Sequence, residues 1–374
     1  MRSNSINKFD TAIIQTLLQW LSRGQGQGRA RSIAGSSIGI STDQGTSRAE
    51  NQDKAAVGFF RDENRCAIVL ILSDGMGGMS GGSRCASLCI AAALERFVAL
   101  KNDHPKARLE SMVRAANQTV YNEFSGDGGT TASVLIVDQA DGAWISNIGD
   151  SRIYAIRERE IQQLTVDDTV QGRLGGQNVP NIPHNALLQY IGMGGDIEIS
   201  VKDVSSFMDT HSFLLTSDGA HFPDNSVLLA LQNNSSAPEV FSKRLTEVAK
   251  WLGSKDNLTS IATRNASYML GNLVSSTPQN VLQIWDAYGD LSLVISSESA
   301  NSDQKSENTK AKNSTNQKNN ISNEKTSRSM APKSEMQKDR KKRETKAKED
   351  KTDSDENKKP TIQADIFSSN NEKD

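Results

Sequence analysis

Five aspartates lie at the edges of apolar runs in this sequence, namely Asp53, Asp74, Asp150, Asp218 and Asp256. Three of them are followed at once by Gly or Ser, as in a tight turn. A single aspartate in such a place is most simply a turn former. Five of them indicate more, because carboxylates that gather in space repel one another unless a cation neutralises them. Hard oxygen ligands of this kind suit Mg²⁺ or Mn²⁺, so the pattern predicts a site for divalent cations.

The stretch at 70–82, LILSDGMGGMSGG, carries Asp74 at the end of an apolar run and then a series of glycines. Gly75 would let a backbone carbonyl turn toward a metal beside Asp74, and Gly77 and Gly78 lack side chains that would block a phosphate. The stretch therefore predicts a buried strand that presents a carboxylate where a phosphate group can approach the backbone.

The elements that must position these residues are short β-like runs that alternate with a few helical stretches. Strands are predicted over 37–42, 54–60, 66–73, 131–138, 143–149, 152–158, 212–218 and 258–264. Helices are predicted over 84–100, 107–124 and 238–253. Tight turns between strands imply antiparallel sheets, and the helices are grouped rather than interleaved with the strands. The pattern is typical of a layered α+β fold.

The segments on either side of this core have different compositions. Residues 10–22 place apolar side chains on one helical face, and we expect this helix to dock on its own domain rather than on a membrane or a partner. The Gly, Ser and Arg residues that follow are typical of a flexible link, so 1–33 is interpreted as a helix and linker ahead of a domain at 34–265. Residues 266–300 contain one helical and one strand-like piece, and form either an appendage of the domain or a small docking element.

Residues 301–374 are predicted to be a disordered charged tail, with 18 Lys and Arg, 14 Asp and Glu and no Trp or Tyr. Without them, residues 1–300 hold 25 basic and 31 acidic side chains, a net charge of −6 that argues against nucleic-acid binding. The basic stretch at 338–348 could contact nucleic acid or an anionic membrane. Its neighbours nearly balance its charge, which favours a solvated polyampholyte.

The cysteine count and hydropathy indicate a cytoplasmic location. Three cysteines, Cys66, Cys85 and Cys89, are an odd number in a long chain, as expected in a reducing compartment. Cys85 and Cys89 lie one helical turn apart, and small buried apolar residues are a better interpretation than metal ligands. No apolar run is long enough to span a bilayer, and no clear signal peptide begins the sequence.

Seven motifs follow one another along the chain: SRAENQD, LSDGMGG, GGTTAS, NIGDSRIY, LTVDDTV, LLTSDGAHFPDN and KDNLTSI. Over roughly 36–265 this set resembles the bacterial branch of the PP2C (PPM) family of metal-dependent serine/threonine protein phosphatases. The resemblance implies a four-layer α-β-β-α sandwich with two central antiparallel β-sheets. It also implies a phosphoprotein substrate, a cognate Ser/Thr kinase and two or three Mn²⁺ or Mg²⁺ ions.

The resemblance assigns metal-site roles to the aspartates one by one. It implies that Asp74 bridges two cations and that Gly75 offers its carbonyl to one of them. Asp218 and Asp256 complete the first metal site by the same comparison. The resemblance also implies that Asp53 orders water molecules on the second metal. It assigns Asp150 to a third metal ion, which binds more weakly.

The implied catalytic residues are Arg48 and Asp74. Two cations about 3.5–4 Å apart can hold a shared water, lower its pKa and present hydroxide to the phosphorus of a phosphomonoester. Arg48 stands at the family's phosphate-gripping position, where a guanidinium can form a two-pronged pair with phosphate oxygens that Lys cannot copy.

Departures from the family pattern leave a second hypothesis open. Met76 and Met79 occupy positions where relatives carry His, Asp168 stands where His is common, and we expect no histidine beside the metal motifs to act as an acid. His184 lies in a region that resembles the family's flap. The lost histidines and the long tail favour a pseudophosphatase that serves as a binding or regulatory module. The retained aspartates favour an active enzyme, because a chain without catalysis has no physical reason to keep repelling acids together.

Overall fold

The computed structural model describes residues 8–23, 28–33, 35, 37–174, 186–195 and 197–295. His184, the tail at 301–374 and its basic stretch at 338–348 lie outside the described residues. None of the helices in the described part of the chain is both long enough and apolar enough to cross a membrane.

The described strands form two antiparallel sheets. Sheet A contains β1 (Arg29–Ile33), β2 (Ile38–Asp43), β7 (Arg152–Arg157), β8 (Glu160–Gln163), β10 (Ser212–Thr216) and β11 (Leu258–Thr263). Sheet B contains β3 (Lys54–Arg61), β4 (Cys66–Ser73), β5 (Ala132–Asp138), β6 (Gly142–Ile148), β9 (Val201–Asp203), β12 (Val281–Trp285) and β13 (Asp290–Val294). The strand order is β1-β2-β11-β10-β7-β8 in sheet A and β13-β12-β3-β4-β5-β6-β9 in sheet B. All eight strands predicted from the sequence are present among them.

Sheet B is buried on both faces, and β4 shows why its sequence is an unbroken apolar run. Successive side chains of a strand point to opposite faces. Ile68 and Leu70 therefore belong to the core between the two sheets, whereas Val69 and Ile71 belong to the core under the helices on the other side. All four side chains are fully buried.

Helices cover the outer faces of both sheets. The described helices are α1 (Lys8–Leu21), α2 (Gly82–Ala99), α3 (Pro105–Phe124), the short α4 (Val170–Arg173), α5 (Asn225–Asn233), α6 (Pro238–Trp251) and α7 (Ala266–Ser276), whose buried side chains belong to the core between the sheets. The first three pack on sheet B, and α5 and α6 pack on sheet A. The described chain is thus a four-layer α-β-β-α sandwich, as predicted, and the three predicted helices are α2, α3 and α6.

The N-terminal helix packs on the rest of the fold, as expected. Leu17, Leu18 and Leu21 are buried in the core that α2 and α3 form with sheet B. The prediction of a flexible link after this helix is wrong over Arg29–Ile33, where β1 pairs with β2. An edge strand needs few apolar side chains because its neighbour's backbone supplies the hydrogen bonds, and only Ile33 of β1 is buried.

The segment after the predicted domain is an integral part of sheet B. The sequence predicted one helix and one strand there, and the structure has α7 followed by the hairpin of β12 and β13, with β12 paired to β3. Two ion pairs tie the hairpin to the N-terminal region: Arg23 to Asp286 at 3.0 Å and Arg31 to Asp290 at 2.7 Å.

Candidate active site

The strand register brings the five aspartates to one end of the sandwich. The last residue of β10 pairs with Arg152, the first residue of β7, and with a residue near the start of β11. Asp218, Asp150 and Asp256 therefore leave sheet A at the same end.

The equivalent pairing in sheet B joins Lys54 at the start of β3 to Ser73 at the end of β4. Asp53 and Asp74, which adjoin these two residues in the chain, therefore leave sheet B side by side. Antiparallel pairing thus places acids that are far apart in sequence on neighbouring strand ends.

The backbone of Asp74 is held on both sides by the GGTTAS motif. Its carbonyl accepts hydrogen bonds from the Thr131 amide at 2.9 Å and from the Thr130 hydroxyl at 2.8 Å. Its amide donates to the Thr131 hydroxyl at 2.9 Å, and that hydroxyl also lies 2.7 Å from the hydroxyl of Ser151. Ser151 follows Asp150, so a single threonine links the turns that carry two of the candidate metal ligands.

Two glycines of the DGMGG motif are closely packed, and Gly75 is required because its neighbours are backbone atoms. A Cβ on Gly75 would lie 2.5 Å from the backbone oxygen of Gly82 and 2.7 Å from that of Gln52. A Cβ on Gly77 would lie 2.7 Å from Nη1 of Arg48, so this glycine makes room for the guanidinium. Gly78 faces open space, where a Cβ would meet nothing within 4 Å.

The Asp53 carboxylate has an unfavourable environment. It is only 2 % exposed, and neither of its oxygens has a hydrogen-bond partner among the described residues. Burial raises the pKa of Asp53 to about 7, and the charges of Asp218 and Asp256 add to the rise, which the nearby hydroxyls of Ser217 and Thr259 oppose. A folded chain gains nothing from such a group unless a positive charge comes to it.

The other acids influence one another in the same direction. Burial raises the pKa of Asp74 well above its usual value, and the charges of Asp53 and Asp218 add to the effect. Burial, followed by the charge of Asp218, raises the pKa of Asp150 to about 6. Burial and then Asp256 raise the pKa of Asp218. The five carboxylates are therefore close enough to repel one another.

These acids suit a divalent cation that keeps several water ligands better than one that is coordinated by side chains alone. Within the described ranges, no group of three or more His, Cys, Asp or Glu side chains is arranged to hold a metal ion. Mg²⁺ usually keeps several waters and binds through only one or two carboxylates. The two oxygens of Asp53 and Oδ1 of Asp218 are buried without hydrogen-bond partners and suit ligand water or a cation. Joint ligation of one ion by Asp74, Asp218 and Asp256 stays a prediction.

Arg48, the expected phosphate-binding residue, lies beside a candidate metal ligand. Its Nη2 donates to Oδ2 of Asp256 at 2.5 Å. Its backbone carbonyl accepts a hydrogen bond from the side-chain amide of Gln44 at 2.8 Å. The guanidinium is thus directed toward the acidic end of the sheets rather than into bulk solvent.

Asn257 is a positioning residue that the sequence analysis missed. Its side-chain amide donates to the carbonyls of Gln44 and Glu50, at 2.8 and 2.9 Å, and its side-chain oxygen accepts from the amide of Gln52 at 2.9 Å. These three bonds hold the loop that carries Arg48 and leads to Asp53. The signal available in the sequence was its place directly after Asp256.

Asp168, which replaces a common histidine, also has a clear structural role. Its Oδ2 accepts a hydrogen bond from the amide of Gly149 at 3.1 Å, and its Oδ1 accepts from Nη2 of Arg173 at 2.8 Å. Gly149 has a φ of 99° and directly precedes Asp150. Asp168 therefore stabilises the turn that presents Asp150.

One histidine lies near the acidic end of the sheets, although the DGMGG motif itself has none beside it. His221 lines a pocket of about 730 Å³ together with Asp150 and Asp218. Burial lowers the pKa of His221 to about 3, and the charge of Arg152 adds to this. The sequence signal was its position three residues after Asp218, within the motif LLTSDGAHFPDN.

The fold and this acidic end define the class of protein. Residues 44–263 match the family model described as Protein phosphatase 2C, which is more than half of the chain. The chain therefore belongs to the protein phosphatase 2C family. The match begins directly after β2 and ends with β11, so α1, β1, β2, α7 and the β12–β13 hairpin lie outside it.

Relatives and solved structures agree with this membership. The serine/threonine protein phosphatase PstP of Mycobacterium tuberculosis is 31% identical over 252 residues, which cover 62% of this chain and 45% of PstP. The chain thus spans less than half the length of that relative. The serine/threonine phosphatase stp of Listeria monocytogenes is 27% identical over 236 residues, covering 58% of this chain and 91% of stp.

Two solved structures have the same fold over the whole of their own chains. The PPM Ser-Thr phosphatase MsPP from Mycobacterium smegmatis, in complex with cacodylate, has a TM-score of 0.51 and 27% identity and covers 61% of this chain and 98% of its own. The serine/threonine phosphatase Stp1 from Staphylococcus aureus has a TM-score of 0.52 and 26% identity and covers 60% and 93%.

Proposed function

We propose that this chain is a metal-dependent protein phosphatase that hydrolyses phosphoserine and phosphothreonine. The observation that carries the proposal is the burial of Asp53 with two unpartnered oxygens beside Asp74 and Asp218. Repelling carboxylates of this kind lower the stability of the fold unless cations join them. The family membership supplies the substrate class.

The residues assigned to the metals are those predicted from the sequence. Asp74, the carbonyl of Gly75, Asp218 and Asp256 would hold the first ions, with Asp53 acting through water. Asp150 would serve a third. Mn²⁺ or Mg²⁺ bound there would activate a water and neutralise charge on the phosphoryl oxygens.

The chain's own residues orient the phosphate. Arg48 has a guanidinium that can grip two phosphoryl oxygens at once, and Gly77 leaves space for it. Asn257 holds the loop that carries Arg48, so the guanidinium need not be ordered at the moment of binding. Phosphate gripping by Arg48 is thus prepared before the substrate arrives.

The leaving oxygen of serine or threonine must gain a proton when its bond to phosphorus breaks. Met76 and Met79 cannot supply it, and His221 is neutral near pH 7 because its pKa is about 3. We therefore assign the proton to water, with inorganic phosphate and the free hydroxyl side chain as products. Phosphoproteins of a bacterial cytoplasm, modified by a cognate Ser/Thr kinase, are the proposed substrates.

The test is release of phosphate from phosphothreonine and phosphoserine peptides with and without Mn²⁺. We expect activity that requires Mn²⁺ and is abolished by Asp74→Asn. Asp103→Asn is the matched control, because Asp103 is an exposed acid just beyond the far end of α2, the helix that begins near Asp74. Release that persists without divalent metal would contradict the proposal, and metal uptake without turnover would favour the binding module instead.

A further inference from the structure

The pocket beside the candidate metal site extends well beyond the aspartates. It has a volume of about 730 Å³, and the residues that line it include Val166, His221 and Phe222 as well as Asp150 and Asp218. A phosphoryl group alone is much smaller than this space. The pocket therefore has room for a part of the substrate other than its phosphate.

Arg152 and Asp167, two further charged residues on the pocket wall, are already paired with each other. Nε of Arg152 lies 3.0 and 3.1 Å from the two carboxylate oxygens of Asp167, and Nη2 lies 2.7 Å from one of them. A bidentate pair of this kind satisfies both partners. Neither Arg152 nor Asp167 is therefore available to bind a charged ligand.

His221 offers the pocket a neutral hydrogen-bond donor. Its Nδ1 lies 3.1 Å from the hydroxyl of Thr216, which is fully buried in β10. When that hydroxyl donates to Nδ1, a neutral ring carries its one proton on Nε2. Among the residues that the structure describes, Nε2 of His221 has no hydrogen-bond partner. An acceptor in the pocket can take this bond.

Two apolar side chains of the same pocket are exposed. Val166 is 63 % exposed and Phe222 is 56 % exposed, although both are of types that favour burial. They come from different parts of the chain, the LTVDD motif and the turn after Asp218. Together with His221 they give the pocket a ring N–H donor and two apolar surfaces.

We propose that this pocket binds a residue next to the phosphorylated serine or threonine of the substrate. His221 donates a hydrogen bond from Nε2 to a backbone carbonyl of the substrate, and Val166 and Phe222 contact an apolar side chain. This inference rests on the proposed function, because the pocket shares Asp150 and Asp218 with the candidate metal site. It assigns to the chain a preference for phosphopeptides with apolar residues beside the phosphate.

The kinetic test compares three substrates under Mn²⁺: a phosphothreonine peptide with Leu on both sides, the same peptide with Gly on both sides, and p-nitrophenyl phosphate, which has no flanking residues. His221→Ala loses one neutral hydrogen bond to the substrate. Its KM for the Leu peptide is therefore expected to be about five- to tenfold higher than that of the wild type, with kcat nearly unchanged. Activity on p-nitrophenyl phosphate is expected to stay at the wild-type level. His221→Gln should recover most of the loss because its amide can donate from a similar position.

Two further variants separate the subsite from a structural effect. Phe222→Ser is expected to reduce the preference for Leu over Gly peptides severalfold, because it removes one apolar wall. His211→Ala is the matched control, since His211 lies at the opposite end of β10, bonded to Thr210 at 2.7 Å, and should leave all three substrates unaffected. An equal loss on all substrates in His221→Ala, or equal KM values of the wild type for Leu and Gly peptides, would overturn the proposal.

A binding measurement keeps the subsite testable apart from turnover. Calorimetry with Mn²⁺ and non-hydrolysable phosphonate versions of the two peptides should give tighter binding of the Leu peptide to the wild type, and equal binding of both peptides to the double variant His221→Ala, Phe222→Ser. If the wild type hydrolyses no substrate but keeps this difference, the proposed function fails and the subsite stands. If it hydrolyses all three and binds both phosphonates equally, the subsite fails and the proposed function stands.

Discussion

The guanidinium of Arg48 and the carboxylate of Asp256 are direct partners, with Nη2 2.5 Å from Oδ2. The side chains are 43% and 29% exposed, so the pair adds at most about 1 kcal/mol to stability. Its importance lies in alignment. It joins the residue expected to bind phosphate to a residue expected to hold a cation. The guanidinium therefore lies next to the place where that cation is expected.

A first prediction concerns the geometry of Arg48. Arg48→Lys keeps the charge but loses the planar fork, so we expect a rise in KM for phosphopeptides and a fall in kcat/KM of about 10- to 100-fold. Steady-state kinetics in Mn²⁺ measure this. Arg65→Lys is the control, because Arg65 forms a comparable surface pair with Asp141 at the far end of β4. Wild-type kinetics in Arg48→Lys would disprove the two-pronged contact.

A second prediction concerns the buried charge of Asp53. Asp53→Asn removes a repelling carboxylate and is expected to raise the melting temperature in EDTA by a few degrees. Adding Mn²⁺ should raise the melting temperature of the wild type much more than that of Asp53→Asn. A ligand stabilises a protein only when its binding site is intact, and the variant lacks one of the proposed metal-site carboxylates. Differential scanning calorimetry with and without Mn²⁺ measures both effects. A variant that melts below the wild type in EDTA would show that Asp53 has a stabilising partner.

A third prediction separates positioning from stability at Asn257. Asn257→Ala removes three hydrogen bonds to the loop that carries Arg48, so both kcat/KM and the free energy of unfolding should fall, the latter by about 2–3 kcal/mol. Asn265→Ala is the control, because Asn265 caps α7 and should lower stability by about 1 kcal/mol without changing kinetics. Chemical denaturation and phosphopeptide assays provide the two readouts. Equal kinetics in both variants would remove Asn257 from the site.

A fourth prediction follows from the low pKa of His221. The unfolded chain binds a proton at this residue below about pH 6.5, whereas the folded chain does so only near pH 3. Stability should therefore fall as the pH is lowered through this window, by at most about 1.4 kcal/mol per pH unit from this group. In urea titrations at pH 7 and pH 4.5 with EDTA, the wild type should lose more stability than His221→Gln. Parallel losses in the two proteins would mean that the His221 ring is protonated in the folded state.

Most of the fold could be predicted because its signals are local. The apolar run of β4, the spacing in α2 and the turns between strands each depend on residues within a few positions of one another. The edge strand β1 and one of the two strands of the β12–β13 hairpin were not predicted. These strands are stabilised by pairing within their sheets, and β1 and β13 contain few buried side chains.

The sequence by itself determined which residue types could do chemistry: aspartates at strand ends, glycines after Asp74 and an arginine ahead of Asp53. Only the tertiary structure decided which other residues lie next to these aspartates, glycines and this arginine. Asn257 reaches a loop more than 200 positions earlier in the chain, and His221 shares a pocket with Asp150 because β7 and β10 are paired neighbours. Such contacts depend on strand order, which the packing of distant segments against one another decides, whereas a local pattern of side chains specifies only which face of each strand is buried.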